Sequence, residues 1–195
     1  MIESKLIPKA LFSDKSVKSV NNLKDYAGIE YIASMNQTHS DIVTFVKSSA
    51  VYDSDGIYTE EPKLGLVVQT ADCMPILLSD KKRIGAIHSG WRGLKNNILE
   101  KAIKKFDVNE LSISIGPHAQ SCCYEVKEDV KKYFNDYTEH RDGMFFLNMS
   151  KALKDLSEKE GFQVEVSSIC TICNSSYNSY RENKTTARQF GVIWK

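Results

Sequence analysis

Short apolar runs recur along the whole chain and limit the folds that it can adopt. Seven of them are five or six residues long, are rich in Val, Ile, Leu or Tyr, and predict β-strands. These runs are 29–33, 42–47, 64–69, 75–79, 83–88, 111–115 and 164–168. Predicted helices lie among them without strict alternation. The pattern favours an α/β (α+β) layered sandwich of mixed β-sheets flanked by helices over a doubly wound sheet.

Three stretches have the apolar spacing of amphipathic helices. In the first, one face carries Leu94, Ile98, Leu99, Ala102, Ile103 and Phe106. The second covers about 125–134. The third follows Asn148, which suits an N-cap, and ends at Gly161, which suits a C-cap. No repeat, low-complexity tract or Pro/Gly-rich linker interrupts the pattern, so we expect a single domain over 1–195.

Composition and charge exclude several classes of protein. The formal net charge is +1, so no strong field directs the chain to nucleic acid or to an acidic membrane. No apolar run is long enough to cross a bilayer, and the first residues lack the apolar core of a signal peptide. The five cysteines, an odd number, fit reduced thiols better than a disulfide framework. We therefore expect a cytoplasmic protein without a nucleic-acid or membrane partner, and the oligomeric state stays open.

Three segments each contain a residue that can bind a metal and a sharp turn of the backbone. His39 lies just before a predicted strand, Cys73 lies between two predicted strands, and His88 ends one. Zinc prefers such nitrogen and sulfur ligands, and three of them leave a fourth position for water or substrate. Their separations of 34 and 15 residues are weak evidence alone. The alternative is a pair of hydrogen-bonded core histidines and an inert buried cysteine.

The turn at residues 88–93 has a second possible use. A helix beginning near Leu94 would direct free N–H groups and the positive end of its dipole toward the same place. Two glycines allow a close approach of the backbone, and Arg92 adds a cation, so the turn suits an anion such as phosphate. Considered alone, the turn slightly favours the alternative of a plain connection with Trp91 packed in the core.

Six groups of motif residues, in one order along the chain, resemble a known family. They are Gln37-Thr38-His39, Thr70 to Pro75, His88 to Gly93, Gly116-Pro117 with Cys123 to Val126, Cys170-Thr171 with Ser179 to Arg181, and Arg188-Gln189 with Ile193-Trp194. The family is that of multicopper polyphenol oxidase or laccase-like domains. It is also called the purine nucleoside phosphorylase family of the human FAMIN protein, and it includes the bacterial peptidoglycan editing factor.

This resemblance implies roles for particular residues. It implies a Zn²⁺ ion held by His39, Cys73 and His88. Arg92 and Arg181 are then candidates to bind phosphate or to stabilise the transition state. Asp72, next to a ligand, could be a general base, although an orienting partner of a metal-bound imidazole is the preferred interpretation. The chain lacks the glycine-rich N-terminal loop and the Asn-Arg pair of relatives, which leaves its substrate range open.

The remaining cysteines do not have the spacing of a zinc knuckle. Cys170 and Cys173 form a CxxC pair, but a knuckle needs a second such pair, and Cys122 and Cys123 are adjacent. The resemblance covers Cys170 and not Cys173, so we interpret Cys173 as incidental. His118, in the preceding loop, could relay protons, but a surface histidine is the preferred interpretation.

The resemblance implies an enzyme that phosphorolyses adenosine, inosine, guanosine and methylthioadenosine and deaminates adenosine. A zinc-bound water with a pKa of about 7 would supply hydroxide for deamination. The alternative is an amidase that removes L-serine from a UDP-muramyl precursor of the cell wall. A polyphenol oxidase is disfavoured, because a multicopper cluster needs many more than four histidines. A metal-stabilised binding module would not need an open coordination position.

Overall fold

The computed structural model describes residues 1–195 and contains three β-sheets. The first has the strand order β1 (Ile2–Glu3), β2 (Ala10–Phe12), β15 (Gln189–Ile193), β7 (Leu64–Thr70), β3 (Tyr31–Met35) and β5 (Val51–Tyr52). The second has the order β14 (Gln163–Val166), β10 (Ser112–Ile115), β8 (Met74–Ser79), β9 (Ile84–Ser89), β6 (Gly56–Thr59) and β4 (Val43–Phe45). The third is small, with the order β11 (Glu125–Val126), β13 (Met144–Leu147) and β12 (Thr138–Arg141).

The α-helices are mostly short. They are α1 (Val20–Ala27), α2 (Trp91–Lys95), α3 (Ile98–Ile103), α4 (Glu128–Lys131), α5 (Met149–Glu160) and α6 (Tyr180–Asn183). The two longest, α1 and α5, have side-chain N-caps at Ser19 and Asn148 and end at glycines with positive φ. None of the helices combines the length and the apolar character that spanning a membrane requires.

The two six-stranded sheets pack face to face. The core between them has 14 buried residues, among them Leu66 and Val68 of β7 and Leu77 of β8. Because successive side chains of a strand point to opposite faces, Val67 of β7 packs instead with Leu23 of α1 on the outer face of the first sheet. The outer face of the second sheet packs against α3 and α5. The result is four layers in the order helix, sheet, sheet, helix.

This architecture confirms the expected layered sandwich of mixed sheets. β7 is parallel to β3 and antiparallel to β15, and β10 is parallel to β14 and antiparallel to β8. All seven predicted strands are present, and their ends lie within two residues of the expected ones.

The predicted helices agree less closely. The first is divided into α2 and α3, because Asn97 between them adopts a left-handed φ of 62°. Its apolar face is nevertheless buried, from Leu94 to Phe106. The helix predicted over 125–134 is wrong for most of its length: only α4 is α-helical, since β11 occupies the first residues and pairs with β13. The third prediction is confirmed as α5.

Candidate metal centre and its pocket

Strand pairing brings three distant segments to one edge of the sandwich. β8 and β9 are antiparallel with Pro75 opposite His88, so Cys73, just before β8, lies beside the end of β9. β3 and β7 are parallel, so their carboxyl ends share an edge. The loop after β3 carries His39 and therefore meets the turn after β7, which carries Cys73. Only residues 71–73 connect β7 in the first sheet with β8 in the second.

The side chains of His39, Cys73 and His88 point to a common centre. Their ligand atoms all lie within 4.8 Å of one another, and His39 Nε2 is 3.8 Å from Cys73 Sγ. The two imidazole rings have centroids 4.8 Å apart and planes inclined by 73°. Two imidazoles and a thiolate in this arrangement fit one Zn²⁺ ion and leave its fourth position to water or substrate.

Gly90 lets the backbone pass directly behind these ligands. A Cβ atom at this position would lie 2.7 Å from Cys73 Sγ and 3.4 Å from Cδ2 of His39. No side chain fits there unless a ligand moves. The glycine is therefore required by space, at a backbone φ of −87° that other residues adopt without strain.

A buried carboxylate, Asp55, contacts two of the three candidate ligands or their loops. Its Oδ1 lies 2.7 Å from Nδ1 of His88, which directs the other ring nitrogen of His88 toward the centre. The backbone N–H groups of Thr38, His39 and Ser40 donate to the same carboxylate and fix the loop of His39. Nothing in the sequence pattern singles out this residue, because an aspartate before a glycine between short strands has the composition of an ordinary turn.

The charges of this cluster reinforce one another. Burial acts to raise the pKa of the Cys73 thiol, but the contacts with His39 and His88 outweigh it and lower this pKa to about 6. Burial acts to lower the pKa of His88, but Asp55 and Cys73 raise it to about 9. Burial likewise opposes ionisation of Asp55, yet hydrogen bonds from His88 and Ser40 lower its pKa to about 2. Cys73 is therefore available as a thiolate at neutral pH, the form that binds metal.

The three side chains lie in a pocket of about 670 Å³, a size typical of small-molecule sites. Its lining has one carboxylate, Asp72, and the three guanidinium groups of Arg92, Arg181 and Arg188. Aromatic side chains complete the lining at Trp91, Tyr124 and Tyr180. The pocket thus offers positive charge and flat apolar surfaces beside the candidate metal ligands.

Asp72 connects separate segments of the pocket wall. Its Oδ1 accepts a hydrogen bond from the Thr171 hydroxyl at 2.8 Å, and its Oδ2 accepts one from the Arg181 backbone N–H at 2.7 Å. The residue has a φ of 89°, within the left-handed region that aspartate tolerates better than most residues. The carboxylate bonded to a candidate ligand imidazole is Asp55 and not Asp72.

The three arginines differ in how much hydrogen-bonding capacity they have left. The Arg181 guanidinium donates to the Glu125 carbonyl at 2.8 Å and lies over the Tyr124 ring. Arg188, which the sequence did not single out as a site residue, donates to two carbonyls of its own loop. Arg92 lies 4.5 Å from the ring centroid of Trp91 and makes no side-chain hydrogen bond within the chain, so it is the most available of the three.

Two expectations about neighbouring residues are wrong. His118 is not at the surface but fully buried, with Nδ1 2.8 Å from the Gly116 carbonyl oxygen, and burial lowers its pKa to about 4. The helix after His88 begins at Trp91 and not near Leu94. Trp91 is half-buried, packs against the large core and also lines the pocket.

Comparison with known sequences connects the chain to one family. Residues 14–195 match the family model described as multi-copper polyphenol oxidoreductase laccase. A protein of Aquifex aeolicus named purine nucleoside phosphorylase is 35% identical over 176 residues, which are 87% of this chain and 85% of that protein. A Clostridium acetobutylicum protein, also named purine nucleoside phosphorylase, is 31% identical over 196 residues, with 91% and 82% covered.

Solved structures share the fold. YlmD from Geobacillus stearothermophilus has a TM-score of 0.88 at 20% identity, with 98% of this chain and 94% of that chain covered. A Neisseria meningitidis protein has a TM-score of 0.87 at 22% identity, with 99% and 97% covered. At these identities the likeness concerns the fold alone. Because the sequence match extends over nearly all residues, the chain belongs to the family described as multi-copper polyphenol oxidoreductase laccase.

Proposed function

We propose that the chain is a zinc-dependent enzyme that splits adenosine, inosine, guanosine or methylthioadenosine with phosphate and also deaminates adenosine. One observation carries the proposal: a pocket in which three metal-binding side chains lie beside three arginines and three aromatic rings. The relatives named purine nucleoside phosphorylase, at 31% and 35% identity, support the class of substrate.

Zn²⁺ would be held by His39, Cys73 and His88, whose donor atoms suit it. A Zn²⁺ ion in this position would act as a Lewis acid and could lower the pKa of a coordinated water to about 7. Asp55 holds the His88 ring and the His39 loop in place, so the three ligands are already oriented before a substrate enters.

The arginines give the pocket its affinity for phosphate. In phosphorolysis, an oxygen of hydrogen phosphate attacks C1′ of the ribose while the bond from C1′ to the purine nitrogen breaks; the nitrogen keeps the bonding electrons and gains the proton that the phosphate loses. Arg92 has its guanidinium free to hold the phosphate, and Arg181 and Arg188 lie on the same pocket wall. The sole lining carboxylate, Asp72, already accepts two hydrogen bonds, and we assign it the role of positioning Arg181 and Thr171.

Aromatic side chains are suited to the purine. Trp91 and Tyr180 line the pocket, and the exposed Tyr180 ring can stack on a purine, whereas the Arg92 guanidinium already lies over the Trp91 ring. Burial and the nearby Cys73 raise the pKa of Tyr124 to about 12, against the opposing effect of Arg181, so its hydroxyl stays protonated and can donate a hydrogen bond.

The number of histidines favours this proposal over oxidation by a copper cluster. Apart from His39 and His88, the chain has His118, which is buried outside the pocket, and His140, which is exposed on β12. Neither lies with the candidate ligands, so the centre offers one His₂Cys group and no set of histidines for a trinuclear copper site.

To test the proposal, zinc-loaded protein is incubated with adenosine, with and without inorganic phosphate. The products are identified by chromatography. Adenine and ribose 1-phosphate that form only with phosphate indicate phosphorolysis, and inosine indicates deamination. The Cys73→Ala variant, which lacks one ligand, should form neither product. Lys104→Gln changes an exposed cation outside the pocket and should match the parent protein.

Parallel reactions on the same protein preparations test the two alternative activities, those of an amidase and of an oxidase. Release of L-serine from UDP-muramyl-serine, with no nucleoside turnover, would replace the proposal with the amidase. Oxidation of a diphenol by copper-loaded protein, again with no nucleoside turnover, would replace it with the oxidase. If Cys73→Ala turns over nucleosides like the parent protein, the proposed centre is not the catalytic one.

A further inference from the structure

A second group of metal-binding side chains lies outside the residues that line the pocket. Four of the five cysteines, Cys122, Cys123, Cys170 and Cys173, have sulfur atoms within 4.8 Å of one another. The sequence spacing gave Cys173 no partner, but the fold places it in a set of four thiols. The interpretation of Cys173 as incidental is therefore not supported by the structure.

Backbone pairing between two loops creates this group. His118 and Cys170 form a parallel bridge: the His118 N–H donates to the Ile169 carbonyl at 3.3 Å, and the Thr171 N–H donates to the His118 carbonyl at 3.1 Å. The turn that follows His118 carries the adjacent cysteines, and the turn that follows Cys170 carries Cys173. Two turns held side by side in this way present four sulfur atoms to one point.

The environment of Cys170 suits a thiolate that binds a metal. Its side chain is buried, and the backbone N–H of Gln120 donates to its sulfur at 3.5 Å. The backbone N–H groups of Ile172 and Cys173 face the same sulfur. Amides two and three residues after the first cysteine of a CxxC turn thus neutralise part of the thiolate charge.

We propose that Cys122, Cys123, Cys170 and Cys173 bind a second Zn²⁺ ion as a tetrahedral four-thiolate site. A complete set of four thiolates leaves no position for a substrate, so this ion is structural. It would hold together the loop that contains Tyr124 and the loop that contains Thr171, which bonds Asp72. The second ion thereby supports two parts of the wall around the first site without taking part in the reaction.

Metal content provides the test, and it does not depend on the proposed activity. Protein is purified under a reducing agent without chelator, loaded with zinc, freed of excess metal and analysed for zinc per chain. The parent protein should hold two ions, and Cys73→Ala should hold one. Cys122→Ser combined with Cys173→Ser, at two exposed positions, should also hold one. All three substitutions together should leave none.

Cobalt distinguishes the two sites by their ligands. The Cys73→Ala protein loaded with Co²⁺ should show the strong thiolate-to-cobalt charge-transfer band of a four-sulfur site. The Cys122→Ser/Cys173→Ser protein should show the weaker band of a single thiolate. The proposal is overturned if the parent protein holds one zinc that only Cys73→Ala removes. It is also overturned if mass analysis of the protein purified under the reducing agent finds a disulfide that persists within the four cysteines.

Discussion

The two candidate metal sites differ in where their side chains lie and in how many ligands they offer. His39, Cys73 and His88 lie at strand ends of two packed sheets, have a buried carboxylate behind them and face a pocket. The four cysteines lie on two paired turns and are not among the residues that line this pocket. If both groups bind zinc as proposed, ligand number and position distinguish them: three ligands leave a free position for a reactant, and four leave none.

The largest expected effect is a reciprocal loss at the two sites. Cys73→Ala should lower phosphorolysis by about three orders of magnitude, since the metal and the groups oriented by it act together, and should leave the melting temperature nearly unchanged. Cys122→Ser combined with Cys173→Ser should lower the melting temperature by about 10 °C, because a structural metal contributes folding free energy directly, while turnover falls only a few-fold. Calorimetry measures the melting temperature of each variant, and a nucleoside assay measures its turnover. The reverse pattern would invert the assignment of the two sites.

Gly90 offers a second test of the difference between the two sites, because the space behind the pocket ligands is too small for a Cβ atom. Gly90→Ala should reduce turnover about 100-fold, since the added Cβ, 2.7 Å from Cys73 Sγ, displaces a ligand. Gly93→Ala is the matched control: its Cβ would lie 3.2 Å from a methyl group of Ile98 and 3.4 Å from the Ser89 hydroxyl, and neither residue is a metal ligand. Equal losses in the two variants would show that the short helix is sensitive and that the metal ligands are not.

Because Asp55 is buried and ionised, we expect the metal-free protein to lose stability in acid. Its pKa is about 2 when folded and near 3.8 when unfolded, so its stabilising effect is complete above about pH 4 and is lost as the pH falls toward 2. The loss corresponds to about 2 kcal/mol of unfolding free energy. Urea unfolding between pH 5 and 2, after chelation, should show this component in the parent protein and in Asp53→Asn, whose position is exposed. Asp55→Asn should lack it, and an unchanged pH profile in that variant would exclude the role.

The smallest expected effect is on phosphate binding by Arg92 in the pocket wall. Arg92→Gln should raise the KM for phosphate about tenfold and leave the KM for adenosine nearly unchanged, because one charge-assisted hydrogen bond to an anion contributes about 1.5–3 kcal/mol. Steady-state kinetics with each substrate varied in turn measures this difference. A rise in the KM for adenosine alone would place the purine and not the phosphate beside Arg92.

The parts of the fold that could be predicted are those that local patterns encode. Strands such as β7 and β9 begin with apolar runs of four or more residues, and α5 has capping residues at both ends, Asn148 and Gly161. The division between α2 and α3 could not be predicted, because the apolar spacing continues across it and only the conformation of Asn97 reveals it. Helix α4 is short because residues 125–126 pair with a strand that lies much later in the sequence.

The candidate site shows the same limit. His39, Cys73 and His88 could be proposed because their residue types suit zinc and because the motifs around them resemble a family. Asp55 could not, since its partners are backbone groups 15 to 17 residues earlier and a histidine 33 residues later. The four-cysteine group also depends on backbone pairing between distant loops, which no spacing within either loop records.

The short connection at residues 71–73 has a mechanical consequence. It joins one sheet to the other, so the thiolate of Cys73 moves whenever the distance between the sheets changes. Enlarging or shrinking a side chain such as Leu77, deep between the layers, would therefore change the position of Cys73 relative to the other two candidate ligands. Evolution could tune the reactivity of this centre through residues that never approach a substrate.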